Sequence, residues 1–136
     1  MPNPPGLDLQ YRPDLDLLTA RWRHDSSFAD LQAEYEARLA AGRAHHATRW
    51  LVDVRRRDAP TLEASEWVAQ QWLPRAVATM APARLRLAYF ILPAQAEMLR
   101  TNTAIQPLVH EALARIHDYE MEIFHNEGEA VGWLLA

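Results

Sequence analysis

The sequence predicts an α/β domain, a mixed sheet of four or five strands with an N-terminal β-hairpin and helices packed on it, in the order β-β-α-β-α-β-α-β-α. Two short alternating segments flank a polar turn near the N-terminus, as in an antiparallel hairpin. Strand patterns then alternate with helical patterns, which implies parallel pairing through right-handed crossovers. Two of the strand patterns are almost wholly apolar, which is typical of central strands covered on both faces.

The chain opens with a predicted tail and hairpin. Residues 1–6 contain three prolines and are expected to form a flexible tail, while residues 7–136 are expected to form a single domain. Apolar and polar residues alternate over residues 7–12 and again over 17–22, as in half-buried strands. Pro13-Asp14 supplies the turn between them.

The rest of the chain alternates between helix and strand. A serine at position 26 or 27 is expected to cap the first helix, and Gly42 to end it. The next helix is predicted over residues 61–80, where Pro74 should kink or divide it because proline lacks the amide donor. The remaining predicted elements are strands at 50–54, 85–92 and 119–124, helical residues 94–117 with a break at Gln106-Pro107, and a last short helix from Asn126 or Glu127.

Composition and charge exclude several classes of function. The net charge of −4 gives the chain no overall attraction for nucleic acid. The chain has no cysteine, and all 14 basic residues are arginine, so cysteine nucleophiles, thiolate metal sites and lysine Schiff bases are excluded. No apolar run approaches the roughly 20 residues that span a bilayer. The N-terminus lacks the pattern of a signal peptide, and we therefore expect a cytoplasmic protein.

Three segments carry a resemblance to known proteins. They are YRPDLDLLTARW in the hairpin, RWLVDVRRRDAP after the first helix, and EIFHNEGEAVGWL near the end. With the element order, they resemble the bacterial SpoIIAA-like proteins of the STAS/SEC14-like grouping over nearly the whole chain. The resemblance implies a small sheet with packed helices and a non-catalytic role in protein interaction, regulation or apolar-ligand binding.

The resemblance also directs attention to the segment that follows the central strand. In the anti-sigma-factor antagonists of this grouping, a phosphorylatable serine stands there, at the start of the next helix. The Asp-Ser-Ser-Gly-like text of those proteins is absent here, and Arg-Arg-Arg-Asp-Ala-Pro-Thr replaces it. Thr61 and Ser65 are the only hydroxyl residues nearby, and neither directly follows an aspartate. The phosphorylation switch is therefore not carried over to this chain.

The same segment is a candidate anion-binding or regulatory loop. Its residues are Asp53, Arg55, Arg56, Arg57, Thr61 and Ser65. Open α/β sheets place their ligands at the carboxyl ends of parallel strands, and three guanidiniums beside a helix N-terminus could hold a phosphate or carboxylate. The alternative is a solvated loop whose arginines pair with Asp53 and Asp58. Thr61 is interpreted first as a helix cap and second as a phosphorylation site.

The helix predicted over residues 61–80 carries a candidate interface. On a wheel of about 100° per residue, the apolar residues cluster on one face and Trp67 lies roughly opposite. Large aromatic side chains are enriched at interfaces, which favours a homodimer or a protein partner. The candidate interface residues are Trp67, Gln71 and Trp72. The alternative is that Trp67 packs under a neighbouring segment of its own chain.

Residues 93–117 carry a third candidate, a cleft for a small apolar ligand. A helix broken near Pro107 is expected to cover this cleft against the sheet, although the same pattern also occurs in ordinary cores. The residues concerned are Met98, Leu99, Ile105, Leu108, Val109 and Leu113.

Metal and catalytic sites are not expected. The histidines are spaced poorly for a shared ion, and the hydroxyl residues lack a nucleophile elbow. We assign no catalytic residue, metal or cofactor. The sequence thus predicts a non-catalytic interaction or regulatory domain that acts through protein binding or self-association. The alternatives are a SEC14-like binder of a small apolar or anionic ligand and, third, an uncharacterised enzyme.

Overall fold

The computed structural model describes residues 4–58 and 60–136 and has the predicted α/β fold. Its elements are β1 (Leu7–Arg12), β2 (Leu17–Trp22), α1 (Phe28–His45), β3 (Arg49–Asp53), α2 (Leu62–Trp67), a π-helical turn (Val68–Trp72), α3 (Leu73–Met80), β4 (Leu85–Phe90), α4 (Pro93–Thr101), α5 (Gln106–Leu113), β5 (Tyr119–Phe124) and α6 (Glu127–Leu135). The predicted order is confirmed, with two of the predicted helices divided. No helix in this described part is long and apolar enough to cross a membrane.

The five strands stand in the sheet in chain order, β1-β2-β3-β4-β5. β1 and β2 form the predicted antiparallel hairpin, in which Leu7 pairs with Trp22. The pairs from β2 to β5 are all parallel. Each right-handed crossover leads to the adjacent strand, always in the same direction across the sheet. The crossover helices α1 to α5 therefore lie on one face of the sheet. α6 follows the last strand and packs against β3, β4 and β5 on the other face.

Side chains of the central strands point alternately to the two faces. Trp50 and Val52 of β3 belong to the larger core, which the sheet forms with α1 and α3. Leu51, between them, packs with Ala130 and Leu134 of α6 in a smaller core. Both faces of β3 are therefore buried, which confirms the interpretation of its apolar run as a central strand.

Pro74 divides the predicted helix, as expected. The π-helical turn precedes it, and the Leu73 N–H donates to the Val68 carbonyl five residues back. Proline has no N–H to donate to the preceding turn, and a π turn changes the helical register by accommodating one additional residue. The insertion also changes which side chains share a face, because residues five apart lie close together in a π turn.

Several predicted boundaries differ from the structure, including the strand predicted over residues 85–92, which ends at Phe90, and the helix predicted to residue 117, which ends at Leu113. Gly42 does not end α1, which continues to His45 and is terminated by His46 in the left-handed conformation, with φ of 53°. Gly42 is instead buried against Trp50, and a Cβ there would lie 2.4 Å from Trp50 Cζ2. The break between α4 and α5 spans residues 102–105, so that Pro107 lies in the first turn of α5.

The predicted flexible tail lies partly outside the described residues, which begin at Pro4. In the part that is described, the Leu7 N–H donates to the Pro4 carbonyl at 3.1 Å. Gly6 is buried, so the chain is held against the domain from this point.

Candidate functional site

A cavity of about 210 Å³ lies between the sheet and the helices from α1 to α5. Tyr89 of β4 and Met121 of β5 form part of its floor, and Leu31 and Tyr35 of α1 form one wall. Its lining is largely apolar. The cavity extends to the loop that follows β3, because Val54 and the exposed Asp58 also line it. This is the end of the sheet at which open α/β folds bind ligands.

Helices α4 and α5 cover the cavity without filling it. Neither helix contains a fully buried residue, which is unusual for helices that lie over a sheet. Their inward side chains border the cavity, and α5 also contacts β5 beside it. The structure places along it all six residues of the cleft predicted from the sequence, namely Met98, Leu99, Ile105, Leu108, Val109 and Leu113.

Gln95 fastens the edge of this cavity. Its Nε2 donates to the carbonyls of Val54 and Arg57, both at 2.9 Å. Its Oε1 accepts from the Leu92 N–H at 2.7 Å. The side chain therefore ties the β3–α2 loop to the start of α4, and its hydrogen-bonding groups are already occupied.

Arg57 is the cationic side chain of the cavity lining. It is 14% exposed and extends back towards α1, where Nη1 lies 3.4 Å from Ser26 Oγ and 3.9 Å from Glu34 Oε1. Nη2 lies 3.5 Å from Asp25 Oδ1. Charge-assisted N–H···O bonds are usually about 2.7–2.9 Å long. These contacts are therefore long, and they leave the guanidinium with unused donor capacity.

Arg55 faces the opposite side of the sheet and pairs with Asp53. Arg55 Nε and Nη2 donate to the two carboxylate oxygens of Asp53 at 3.0 and 2.9 Å, and the Arg55 backbone N–H donates at 3.1 Å. Arg21 Nη1 donates to the same carboxylate at 2.9 Å and lies 2.6 Å from Glu127 of α6. Burial alone would raise the pKa of Asp53, but these hydrogen bonds from Arg55 and Arg21 outweigh it and lower the pKa.

The predicted anion loop is therefore not one site. Arg55 turns to the α6 face, Arg57 turns to the cavity face, and Arg56 is exposed between them. The alternative pairing with Asp53 is found for Arg55. Thr61 caps α2, because its Oγ1 accepts from the Ala64 N–H at 3.1 Å, as interpreted from the sequence. Ser65 lines the cavity.

The three candidate interface residues also differ from one another in their exposure. Trp72 is fully buried and has no surface to offer a partner in this structure. Trp67 is partly buried, with ring centroids 6.2 Å from Phe28 and 5.9 Å from Tyr35, which is the intrachain packing considered as the alternative. Gln71 is exposed. The interface prediction therefore depends on Trp67 and Gln71 alone.

A buried arginine beside the cavity was missed at the sequence level. Arg38 is fully buried, and its guanidinium carbon lies 4.4 to 6.0 Å from the centroids of five aromatic rings. The five rings belong to Trp22, Tyr35, Trp50, Trp72 and Tyr89. Among the described residues, none provides a hydrogen-bond partner for its Nε, Nη1 or Nη2.

Glu34 lies one turn before Arg38 on the same inward face of α1 and is also buried. Its Oε1 accepts from Trp22 Nε1 at 3.0 Å and from Ser26 Oγ at 2.7 Å. A helical wheel places both charged residues in the stripe that contains Leu31 and Tyr35, and this position was the available signal.

No group of three or more histidine, aspartate or glutamate side chains in the described ranges could hold a metal ion.

No protein-family model matches the chain, and comparisons with curated proteins and with solved structures found no match. The SpoIIAA-like resemblance therefore stays a prediction.

Proposed function

We propose that this domain is a non-enzymatic binding protein whose ligand is a small, largely apolar molecule held between the sheet and helices α4 and α5. The observation that carries the proposal is the cavity of about 210 Å³ beneath two helices that have no fully buried residue. Well-packed interiors contain few voids larger than a water molecule. This cavity reaches exposed residues such as Asp58 and is open to water, so a bound ligand would remove its apolar lining from water. The SEC14-like side of the resemblance supports the same function.

The size of the cavity limits the ligand. Engineered apolar cavities of about 150 Å³ bind benzene. By that comparison, the 210 Å³ here would take a ligand of about eight to ten non-hydrogen atoms, such as one substituted ring or a short branched chain. A diacyl lipid is far larger. For a ligand of this size, we expect dissociation constants between about 10 μM and 1 mM.

The proposal can be tested with toluene as a probe. We expect toluene to shift the NMR methyl signals of Met98 and Met121, which line opposite sides of the cavity. Val109→Trp would fill the cavity and abolish the shifts, while His110→Trp, at the exposed neighbouring position on α5, would retain them. Methyl signals that do not respond to toluene or to indole at millimolar concentration would refute the proposal.

Protein binding or self-association is a second candidate function. It is favoured by the partly exposed Trp67 beside the exposed Gln71 on one surface of the helical segment. Light scattering at micromolar concentration tests self-association. If the protein self-associates, the wild type should have the mass of a dimer and Trp67→Ala the mass of a monomer. A monomeric wild-type protein would rule out the homodimer.

A further inference from the structure

The buried charges on the cavity face do not balance. The cations are Arg38, which is fully buried, and Arg57, which is 14% exposed, and Glu34 is the one fully buried carboxylate among the described residues of this face. Asp53, the other buried carboxylate, lies on the α6 face with its own arginines. Two other carboxylates, Asp25 near Arg57 and Asp58 in the cavity lining, are exposed and therefore largely screened by solvent.

The missing hydrogen-bond partners are all acceptors. The three guanidinium nitrogens of Arg38 and the indole Nε1 of Trp72 are buried N–H donors without a partner among the described residues. The Trp72 ring lies 4.4 Å from the guanidinium carbon of Arg38, so these four nitrogens form one cluster. Buried donors normally have an acceptor, and unpaired ones indicate a missing water, ion or ligand. An anion nearby would balance the excess positive charge of Arg38 without having to contact these donors.

The cluster is separated from the cavity only by aromatic rings. The Arg38 guanidinium stacks 4.5 Å from the ring of Tyr35 and lies 6.0 Å from the ring of Tyr89. Both tyrosines line the cavity, and Arg57 lines it directly. An anionic group at this wall would therefore contact Arg57 and lie close to Arg38 through a medium of low dielectric, where attraction between charges is strong.

We propose that the ligand of the cavity is a small monoanion, an aromatic or branched aliphatic carboxylate, whose charge is held by Arg57 and balanced across the tyrosine wall by Arg38. The inference rests on the proposed function. The apolar lining receives the ring or chain of the ligand. The long contacts of Arg57 to Ser26, Asp25 and Glu34 leave N–H groups to donate to the carboxylate. Arg57 is thus a binding residue and Arg38 a positioning charge.

Matched pairs of probes test this inference. Benzoate and benzamide have nearly the same shape and differ in charge, and isovalerate and isovaleramide make the same comparison for an aliphatic chain. By calorimetry at low salt, we expect the wild type to bind at least one carboxylate about tenfold or more tightly than its amide. Arg57→Gln should remove this preference while changing the affinity for the amide less than about threefold.

Two further variants make the test specific. Arg38→Met should reduce the preference for the carboxylate, whereas Arg43→Gln, which removes an exposed charge from α1, should leave it unchanged. Arg57→Gln decides the matter if Arg38→Met does not fold. Equal binding of carboxylate and amide, or an unchanged preference in Arg57→Gln, would overturn the inference and leave the proposed function standing. No binding of toluene or of any of these probes would refute the proposed function itself.

Discussion

Replacement of Asp53 by asparagine should destabilise the fold, because this carboxylate holds Arg21 of β2 and Arg55 of the following loop, and Arg21 in turn contacts Glu127 at the start of α6. Asp53 is 8% exposed and accepts four hydrogen bonds, three from guanidinium nitrogens and one from the Arg55 backbone. In Asp53→Asn, the remaining carbonyl oxygen keeps the two bonds at Oδ1. The amide nitrogen then faces donors from Arg21 and Arg55 at 2.9 Å, so two charge-assisted bonds are lost.

The size of the effect follows from those two bonds. A hydrogen bond to a charged group contributes about 1.5–3 kcal/mol. Arg21 and Arg55 are 34% and 41% exposed and regain hydration when the carboxylate is removed, so the low end of that range applies. We therefore expect Asp53→Asn to lower the free energy of unfolding by about 2–3 kcal/mol. Asp58→Asn, at an exposed position of the same loop, should change it by less than about 0.5 kcal/mol.

Urea denaturation at a series of pH values is the assay. Because the pKa of Asp53 is lowered in the folded state, its contribution is complete above the pKa of the unfolded state, about 3.9, and is lost as the pH falls through the folded-state pKa. The gap between wild type and Asp53→Asn should therefore close in acid. The reasoning is refuted if Asp53→Asn is as mild as Asp58→Asn, or if the gap persists unchanged well below the folded-state pKa.

Four other variants test separate parts of the structure. Gly42→Ala should lower the free energy of unfolding, measured by urea denaturation, by about 1–3 kcal/mol, because the new Cβ would lie 2.4 Å from Trp50 Cζ2. Gly132→Ala, a helical position with free space, should stabilise by about 0.5–1 kcal/mol, and equal effects at the two glycines would contradict the packing argument. Arg38→Met should change the free energy of unfolding by no more than about 2 kcal/mol, because loss of the contacts with the aromatic rings opposes removal of a buried charge that has no hydrogen-bond partner, and a larger loss would contradict this. Gln95→Ala should accelerate hydrogen exchange in the β3–α2 loop but not in β3, and equal acceleration in both would indicate global destabilisation.

The fold was largely predictable because its signals are local. Alternation with a period of two identified the hairpin and β5, and uninterrupted apolar runs identified β3 and β4 as central strands. Pro74 located the division of the long helix through its missing donor alone. Gly42 was misread because a glycine that ends a helix and a glycine that admits a neighbouring indole have the same sequence signature. Only the tertiary contact with Trp50 distinguishes the two.

The tryptophan pair shows how one irregular turn alters a surface prediction. At about 100° per residue, Trp67 and Trp72 lie about 140° apart on a helical wheel. The π turn between them brings both rings onto Tyr35, at centroid distances of 5.9 and 4.8 Å. A wheel with one fixed angle therefore places Trp67 too far towards solvent. The position of Pro74 indicates a disturbed helix, but it does not reveal that the disturbance is a π turn.

The site was only partly predictable, because charged residues are normally expected at the surface and a buried arginine is therefore not predicted. Arg38 is surrounded by rings from β2, α1, β3, the π turn and β4, and their convergence is a property of the whole fold. The six apolar residues of α4, the interhelical loop and α5 were identified in advance, since their pattern is local. That pattern is the same for a packed core and for a cavity lining. The volume left beneath the helices decides between them.

The arginine run after β3 places Arg55 on one face of the sheet and Arg57 on the other, which accounts for the charge at this junction. On the α6 face, Leu51, Ala88 and Phe90 are packed against Ala130 and Leu134 of α6, and Arg55 forms an ion pair with Asp53. On the other face, the Arg57 N–H donates to the Val54 carbonyl at 3.0 Å, and Arg57 lines the cavity with its guanidinium extended towards Glu34. The first arginine has a protein carboxylate at hydrogen-bonding distance, whereas the third has only long contacts. This difference in pairing, rather than the number of guanidiniums, is the reason for placing the proposed ligand on the cavity face.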